Sequence, residues 1–87
     1  MDTEKSIVAE TNKWLKKLEN MKISPRTDKG REYKANIEAY IKDSRHFLEK
    51  KDYVRAFEAV VWAWAFLEIS IDLKIISVED YAVKSAN

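Results

Sequence analysis

The single histidine of the chain, His46, is the natural candidate for a general base or a metal ligand. Nucleophilic catalysis needs such a base beside a serine or cysteine, but helical periodicity places His46 on a charged, solvent-facing side. Asp43 and His46 could present two metal ligands on one helix, yet a metal site in a helical bundle needs further Glu and His pairs that point inward. With no cysteine and one glycine, the chain has neither a thiolate zinc site nor a glycine-rich phosphate loop. We therefore expect a protein that is not an enzyme, with no catalytic residue, no cofactor and no metal.

A local excess of basic residues is the second feature that could do chemistry, in this case by binding phosphate. Residues 13–34 contain eight basic and three acidic side chains, a net charge of +5, against −4 for the rest of the chain. The basic residues at or within the expected loop are Lys22, Arg26, Lys29 and Arg31. They could contact nucleic-acid phosphates with an affinity that falls steeply with salt. Alternatively, they only keep the loop soluble, since the chain as a whole has 16 basic and 15 acidic residues and no strong global field.

Hydrophobic periodicity predicts an all-α fold. Apolar residues recur every three or four positions in three segments, with charged residues opposite, as in amphipathic helices. One glycine and one proline, both within residues 24–32, leave little material for hairpin turns. Asp52 is a good N-cap directly after a tight turn, so the second and third helices should form an antiparallel hairpin. We predict one domain over residues 1–87, a three-helix antiparallel bundle with a short C-terminal helical turn. Its predicted elements are a helix 3–22, a basic loop 23–31, a helix 32–50, a helix 53–76 and a short tail helix 78–84.

The third helix carries two apolar stripes instead of one. The first stripe is the expected bundle core: Tyr53, Phe57, Val60, Trp64, Leu67 and Ile71. The second runs about 180° round the helix and is formed by Trp62, Phe66, Ile69, Leu73 and Ile76. Two neighbouring helices of a bundle cover one stripe, so the second predicts an interface with another subunit or a partner helix. The rival interpretation is that the chain after Ser77 folds back and lays Tyr81 and Val83 over the same stripe.

Residues 69–76 have two interpretations. The segment is rich in β-branched residues and alternates apolar with polar, as a strand would. Helix is favoured because an isolated strand would have no partner in this chain. Ser77 and Asp80 then resemble a capping box that opens the tail helix.

Residues 47–68, FLEKKDYVRAFEAVVWAWAFLE, resemble the helical hairpin of the archaeal family called domain of unknown function 357 (DUF357). The shared pattern is a leucine, a short acidic and basic turn, Asp-Tyr, alanines at intervals and an aromatic-Ala-aromatic cluster. The resemblance extends over residues 30–75, and this chain has Lys51 where members carry glycine. It implies an archaeal, helical, cytoplasmic protein without an assigned activity.

The uncharged stretch between Glu58 and Glu68 is far shorter than the roughly 20 residues that span a bilayer. The first ten residues also lack the basic and apolar run of a signal peptide, so we expect a cytoplasmic protein with no membrane contact. The favoured function is a non-enzymatic helical protein that forms a homodimer or docks a partner helix through the second stripe. The alternative is a nucleic-acid-binding accessory domain that uses the basic segment 13–34.

Overall fold

The structure is a computed structural model that describes residues 2–79. These residues form three helices and a small two-stranded sheet. The elements in chain order are α1 (Thr3–Glu19), β1 (Lys22–Pro25), α2 (Asp28–Glu49), α3 (Tyr53–Asp72) and β2 (Ile76–Glu79). The prediction of a mostly helical protein with three helices is confirmed. The small sheet is a correction to the all-α prediction.

Each helix begins at a side-chain cap. Asp2, Thr27 and Asp52 each accept a hydrogen bond from a backbone N–H two or three residues further along the chain. The predicted cap at Asp52 is confirmed. The cap at Thr27 starts α2 at Asp28, so residues 28–31 of the predicted loop 23–31 are helix. Residues 23–25 of that loop belong to β1, and residues 26–27 connect the two elements.

The ends of α2 and α3 share one geometry, a lysine in the left-handed backbone conformation. The angle φ is 61° at Lys51 and 60° at Lys74. The backbone N–H of Asp52 donates to the carbonyl of Phe47 at 2.9 Å, and that of Ile75 donates to the carbonyl of Ser70 at 3.1 Å. Both bonds are of the kind found in a Schellman motif. The second motif ends α3 at Asp72 and directs the chain into β2, so the predicted continuation of the helix to Ile76 is wrong.

The sheet joins two distant parts of the chain. β1 and β2 are antiparallel, with Lys22 opposite Glu79 and Pro25 opposite Ile76. Helix was favoured for residues 69–76 because a strand there was expected to have no partner. The segment predicted to be a basic loop supplies that partner, as β1. Ser77 lies in β2 and does not cap a tail helix; the rest of the predicted tail helix, residues 80–84, lies outside the described residues.

The core lies between the three helices. α2 and α3 are antiparallel neighbours, and the hydroxyl of Ser44 on α2 donates to the carbonyl of Ala56 on α3 at 2.7 Å. α1 packs mainly on α3 and is tied to α2 by Arg45, which donates to both carboxylate oxygens of Glu19 at 2.7 and 3.0 Å. The buried apolar residues of this core are Leu15, Leu18, Ile37, Val60, Ala63, Leu67 and Ile76. Each large side chain buried there stabilises the fold by roughly 1.5 to 3 kcal/mol.

Candidate interaction surfaces

The second stripe predicted on α3 follows the outer edge of that helix where it meets α2. Trp62, Ile69 and Leu73 are 55%, 47% and 58% exposed, while Phe66 between them is half-buried. Ile76 does not belong with them, because it lies in β2 and is buried in the core at 3% exposure. The structure thus brings together four of the five predicted residues, which we call the outer seam: Trp62, Phe66, Ile69 and Leu73.

Two tyrosines of α2 cover the inner side of the outer seam. The ring of Tyr40 stacks on Phe66 and Trp62, with centroids 5.7 and 6.4 Å apart. Tyr33 meets Phe66 edge to face at 5.3 Å. Aromatic pairs of this kind contribute about 0.5 to 1.5 kcal/mol each beyond their burial. The seam is therefore held rigid from one side and open to solvent on the other.

A second apolar surface lies on the opposite flank of α3, where it meets α1. It is a groove of about 220 Å³, which we call the tryptophan groove, lined by Trp14, Phe57, Val60, Val61, Trp64 and Glu68. Phe57 and Trp64 were predicted to be core, but Phe57 is 37% exposed and Trp64 is half-buried. Within the first stripe, only Val60 and Leu67 are buried.

The two tryptophans of this groove fix each other. Their rings meet edge to face, with centroids 5.2 Å apart. The indole N–H of Trp64 donates to the backbone carbonyl of Trp14 at 3.3 Å, and the indole N–H of Trp14 donates to Glu10 at 2.9 Å. The ammonium groups of Lys13 and Lys17 lie over the Trp14 ring, 5.4 and 4.7 Å from its centroid. Sequence periodicity missed this site because it combines residues 50 positions apart.

The predicted phosphate-binding residues are spread over β1, the following turn and the first turn of α2. Three of the four are paired with acidic side chains: Lys22 with Glu79, Lys29 with Glu32, and Arg31 with Asp28. Arg26 has no ion-pair partner among residues 2–79. Exposed pairs add little stability, but they reduce the positive charge that this segment presents.

The ion pairs found among residues 2–79 lie at the protein surface. His46 is exposed on α2, and within residues 2–79 no three His, Asp or Glu side chains are grouped to hold a metal ion. Arg45 pairs with Glu19 on α1. Its hydrogen bond lowers the pKa of Glu19, and burial opposes that shift in part. No helix within residues 2–79 combines the length and hydrophobicity needed to cross a membrane.

Comparison with known proteins identifies the family. A family model described as a protein of unknown function, DUF357, matches residues 8–76. The chain is similar to protein AF1782 from Archaeoglobus fulgidus, a DUF357 protein known from its crystal structure, with a TM-score of 0.75 and 46% sequence identity over 87% of this chain and 97% of that one. No curated protein matches. The resemblance found in residues 30–75 is confirmed and extends into α1, and the chain belongs to the DUF357 family.

Proposed function

We propose that this protein acts by binding and not by catalysis, and that it associates with a second copy of itself through the outer seam. The observation that carries the proposal is the exposure of Trp62, Ile69 and Leu73, each about half open to solvent along one helix edge. Contiguous apolar patches of this kind on small proteins mark interaction sites. A domain of 87 residues also buries a low fraction of its surface, so additional burial has a large effect on its stability.

The chemistry of the seam favours a second copy over other occupants. In a two-fold symmetric interface, each patch lies against an identical patch, and a charged patch would repel itself. None of Trp62, Phe66, Ile69 and Leu73 is charged, so contact between these four side chains and their symmetry copies brings no like charges together. Tyr40 and Tyr33 hold the seam in place before association, which lowers the entropy lost on binding.

The expected affinity is modest. Full burial of a large apolar side chain contributes roughly 1.5 to 3 kcal/mol, and the three open residues are about half buried already. Six such side chains in a dimer would then contribute about 5 to 9 kcal/mol, against association costs of about 4 to 15 kcal/mol. Association is favourable only if its cost lies in the lower part of that range, so we expect at most a weak dimer whose population depends on protein concentration.

The test is the double variant Trp62→Glu with Leu73→Glu, which places charges on the open side and leaves Phe66 in its stack. Val54→Glu is the matched control, because Val54 is equally exposed on α3 but lies outside the seam. Size-exclusion chromatography with light scattering should show a concentration-dependent dimer for the wild type and the control, and a monomer for the double variant. Circular dichroism should show that all three are helical. A wild type that is monomeric at millimolar concentration, or a double variant that still dimerises, contradicts the proposal.

A nucleic-acid-binding role for the basic segment is the alternative, and it has weaker support. Its distinctive observation is Arg26, which is exposed and forms no ion pair within the described residues. Changing Lys22, Arg26, Lys29 and Arg31 to Gln should weaken retention on heparin and flatten its salt dependence if these residues bind phosphate. If retention on heparin were unchanged, these residues would serve only to keep the segment soluble.

A further inference from the structure

The tryptophan groove has the form of a preformed socket for one side chain. Its walls are rigid, because the Trp14 and Trp64 rings are locked edge to face and each indole N–H already has an acceptor. Phe57 and Val61 form the open apolar rim on the α3 side. At about 220 Å³ the groove is smaller than the 300 to 1,000 Å³ typical of sites for drug-sized ligands. Its size therefore suits a single bulky anchor residue of a peptide, the kind of contact that dominates protein interfaces.

The charges at the groove are distributed unequally between its two walls. On the α1 wall, Lys13 and Lys17 lie over Trp14, and neither forms an ion pair within residues 2–79. The acidic neighbour on that wall, Glu10, is engaged by the Trp14 indole. The α3 wall carries Glu68. An anionic group is thus attracted to the α1 wall and repelled from the α3 wall.

We infer that the tryptophan groove binds a peptide segment of another protein in which acidic residues lie next to a bulky apolar anchor. The anchor fills the space between Trp14 and Phe57, and the acidic residues contact Lys13 and Lys17. This inference is independent of the outer seam, which lies on the other flank of α3.

The three tryptophans provide a test that reports each surface separately. The indole N–H signals of ¹⁵N-labelled protein would be followed by NMR during titration with the tryptophan-free peptide acetyl-Gly-Asp-Asp-Phe-Leu-Gly-amide. Two control peptides replace the Asp pair by Lys-Lys, or the Phe-Leu pair by Ala-Ala. We expect the signals of Trp14 and Trp64 to shift with the acidic peptide, with little change at Trp62 and much weaker binding of both control peptides.

Protein variants test the charge of the groove. Lys13→Glu with Lys17→Glu should weaken binding of the acidic peptide by about tenfold or more at low salt, equivalent to about 1.4 kcal/mol. The matched control is Lys5→Glu with Lys42→Glu, which changes the net charge equally at exposed positions away from the groove and should weaken binding by less than about threefold, since distant surface charges are largely screened. Circular dichroism would establish that both variants fold.

Four results of the titrations would overturn the inference, and a fifth comes from the protein alone. The four are no shift at millimolar peptide, equal shifts with the Asp and Lys peptides, a shift confined to Trp62, and equal losses in the two double variants. Shifts of Trp14 and Trp64 on concentrating the protein without peptide would assign the groove to a second copy and would also overturn it. A monomeric wild type would refute self-association through the outer seam and leave this inference unaffected.

Discussion

Replacing Gly30 by alanine should destabilise this protein, although the same change inside most helices is stabilising. Gly30 is the third residue of α2, and alanine is better than glycine in a helix by about 1 kcal/mol. Here an added Cβ would overlap the carbonyl oxygen of Ile75 and lie 3.0 Å from its carbonyl carbon. These are backbone atoms, so no side-chain rotation can relieve the overlap. The same oxygen accepts the N–H of Arg26 at 2.8 Å, a bond that continues the sheet pairing.

Two opposing contributions decide whether Gly30→Ala raises or lowers the free energy of unfolding. Overpacking costs about 1 to 3 kcal/mol, and weakening the Arg26 to Ile75 hydrogen bond costs about a further 1 kcal/mol. After the gain of about 1 kcal/mol in helix propensity, we expect Gly30→Ala to lower the free energy of unfolding by about 1 to 3 kcal/mol. That is a large part of the 5 to 15 kcal/mol typical of a small domain.

Urea unfolding followed by circular dichroism measures this difference, and hydrogen exchange at the Arg26 amide reports whether the turn has moved. Asn36→Ala is the matched control, because Asn36 is exposed in the middle of α2 and should gain a few tenths of a kcal/mol from propensity alone. If Gly30→Ala proved as stable as the control, the first turn of α2 would not lie against the turn between α3 and β2.

Two further predictions concern the ion pair and the helix ends. Because the hydrogen bond from Arg45 lowers the pKa of Glu19, the pair stabilises the fold above the unfolded pKa of about 4.3 and loses that effect as pH falls through the folded pKa. Thermal melts at low salt should show wild type above Glu19→Gln at neutral pH by less than about 1 kcal/mol, since both side chains are 38% exposed. The gap should narrow as the pH falls below about 4.3; a gap that does not narrow in acid would contradict a charge-based role. Lys74→Gly should raise the free energy of unfolding by up to about 1 kcal/mol. The control Lys50→Gly should lower it, because Lys50 has an ordinary helical φ of −82°. If urea unfolding showed that both variants lose stability equally, the left-handed conformation at Lys74 would be excluded.

Local signals explain which parts of the fold were predictable from the sequence. Amphipathic periodicity and the cap at Asp52 act within a few residues, so the helices and the α2–α3 turn could be located. The end of α3 could not, because helix stops of this type are usually marked by glycine and here the left-handed residue is Lys74. The sheet depends on pairing between Lys22–Pro25 and Ile76–Glu79, and no local pattern encodes a partner more than 50 residues away.

The two apolar surfaces were likewise predictable from the sequence only in part. Periodicity identified the second stripe of α3, but it could not determine how α3 is rotated against α2. That rotation puts Tyr40 on Trp62 and Phe66, so the stripe is an edge partly covered by the chain itself instead of a face opposite the core. The tryptophan groove requires α1 and α3 to lie side by side, which the sequence alone does not specify.

α3 explains why this small domain has two exposed apolar surfaces. A helix that is apolar on all sides is normally buried all round, and α3 has only four charged residues in its sequence: Arg55, Glu58, Glu68 and Asp72. α1 and α2 cover one side of it, which leaves apolar residues exposed on both flanks. At 100° per residue, Glu58 and Asp72 lie between the outer seam and Val61 of the tryptophan groove, and both acids are exposed. A strip of charge therefore separates the two surfaces, so a second copy on one flank does not block a peptide on the other. Association on both flanks would cover the apolar residues that α1 and α2 leave exposed and would leave the charged strip in solvent.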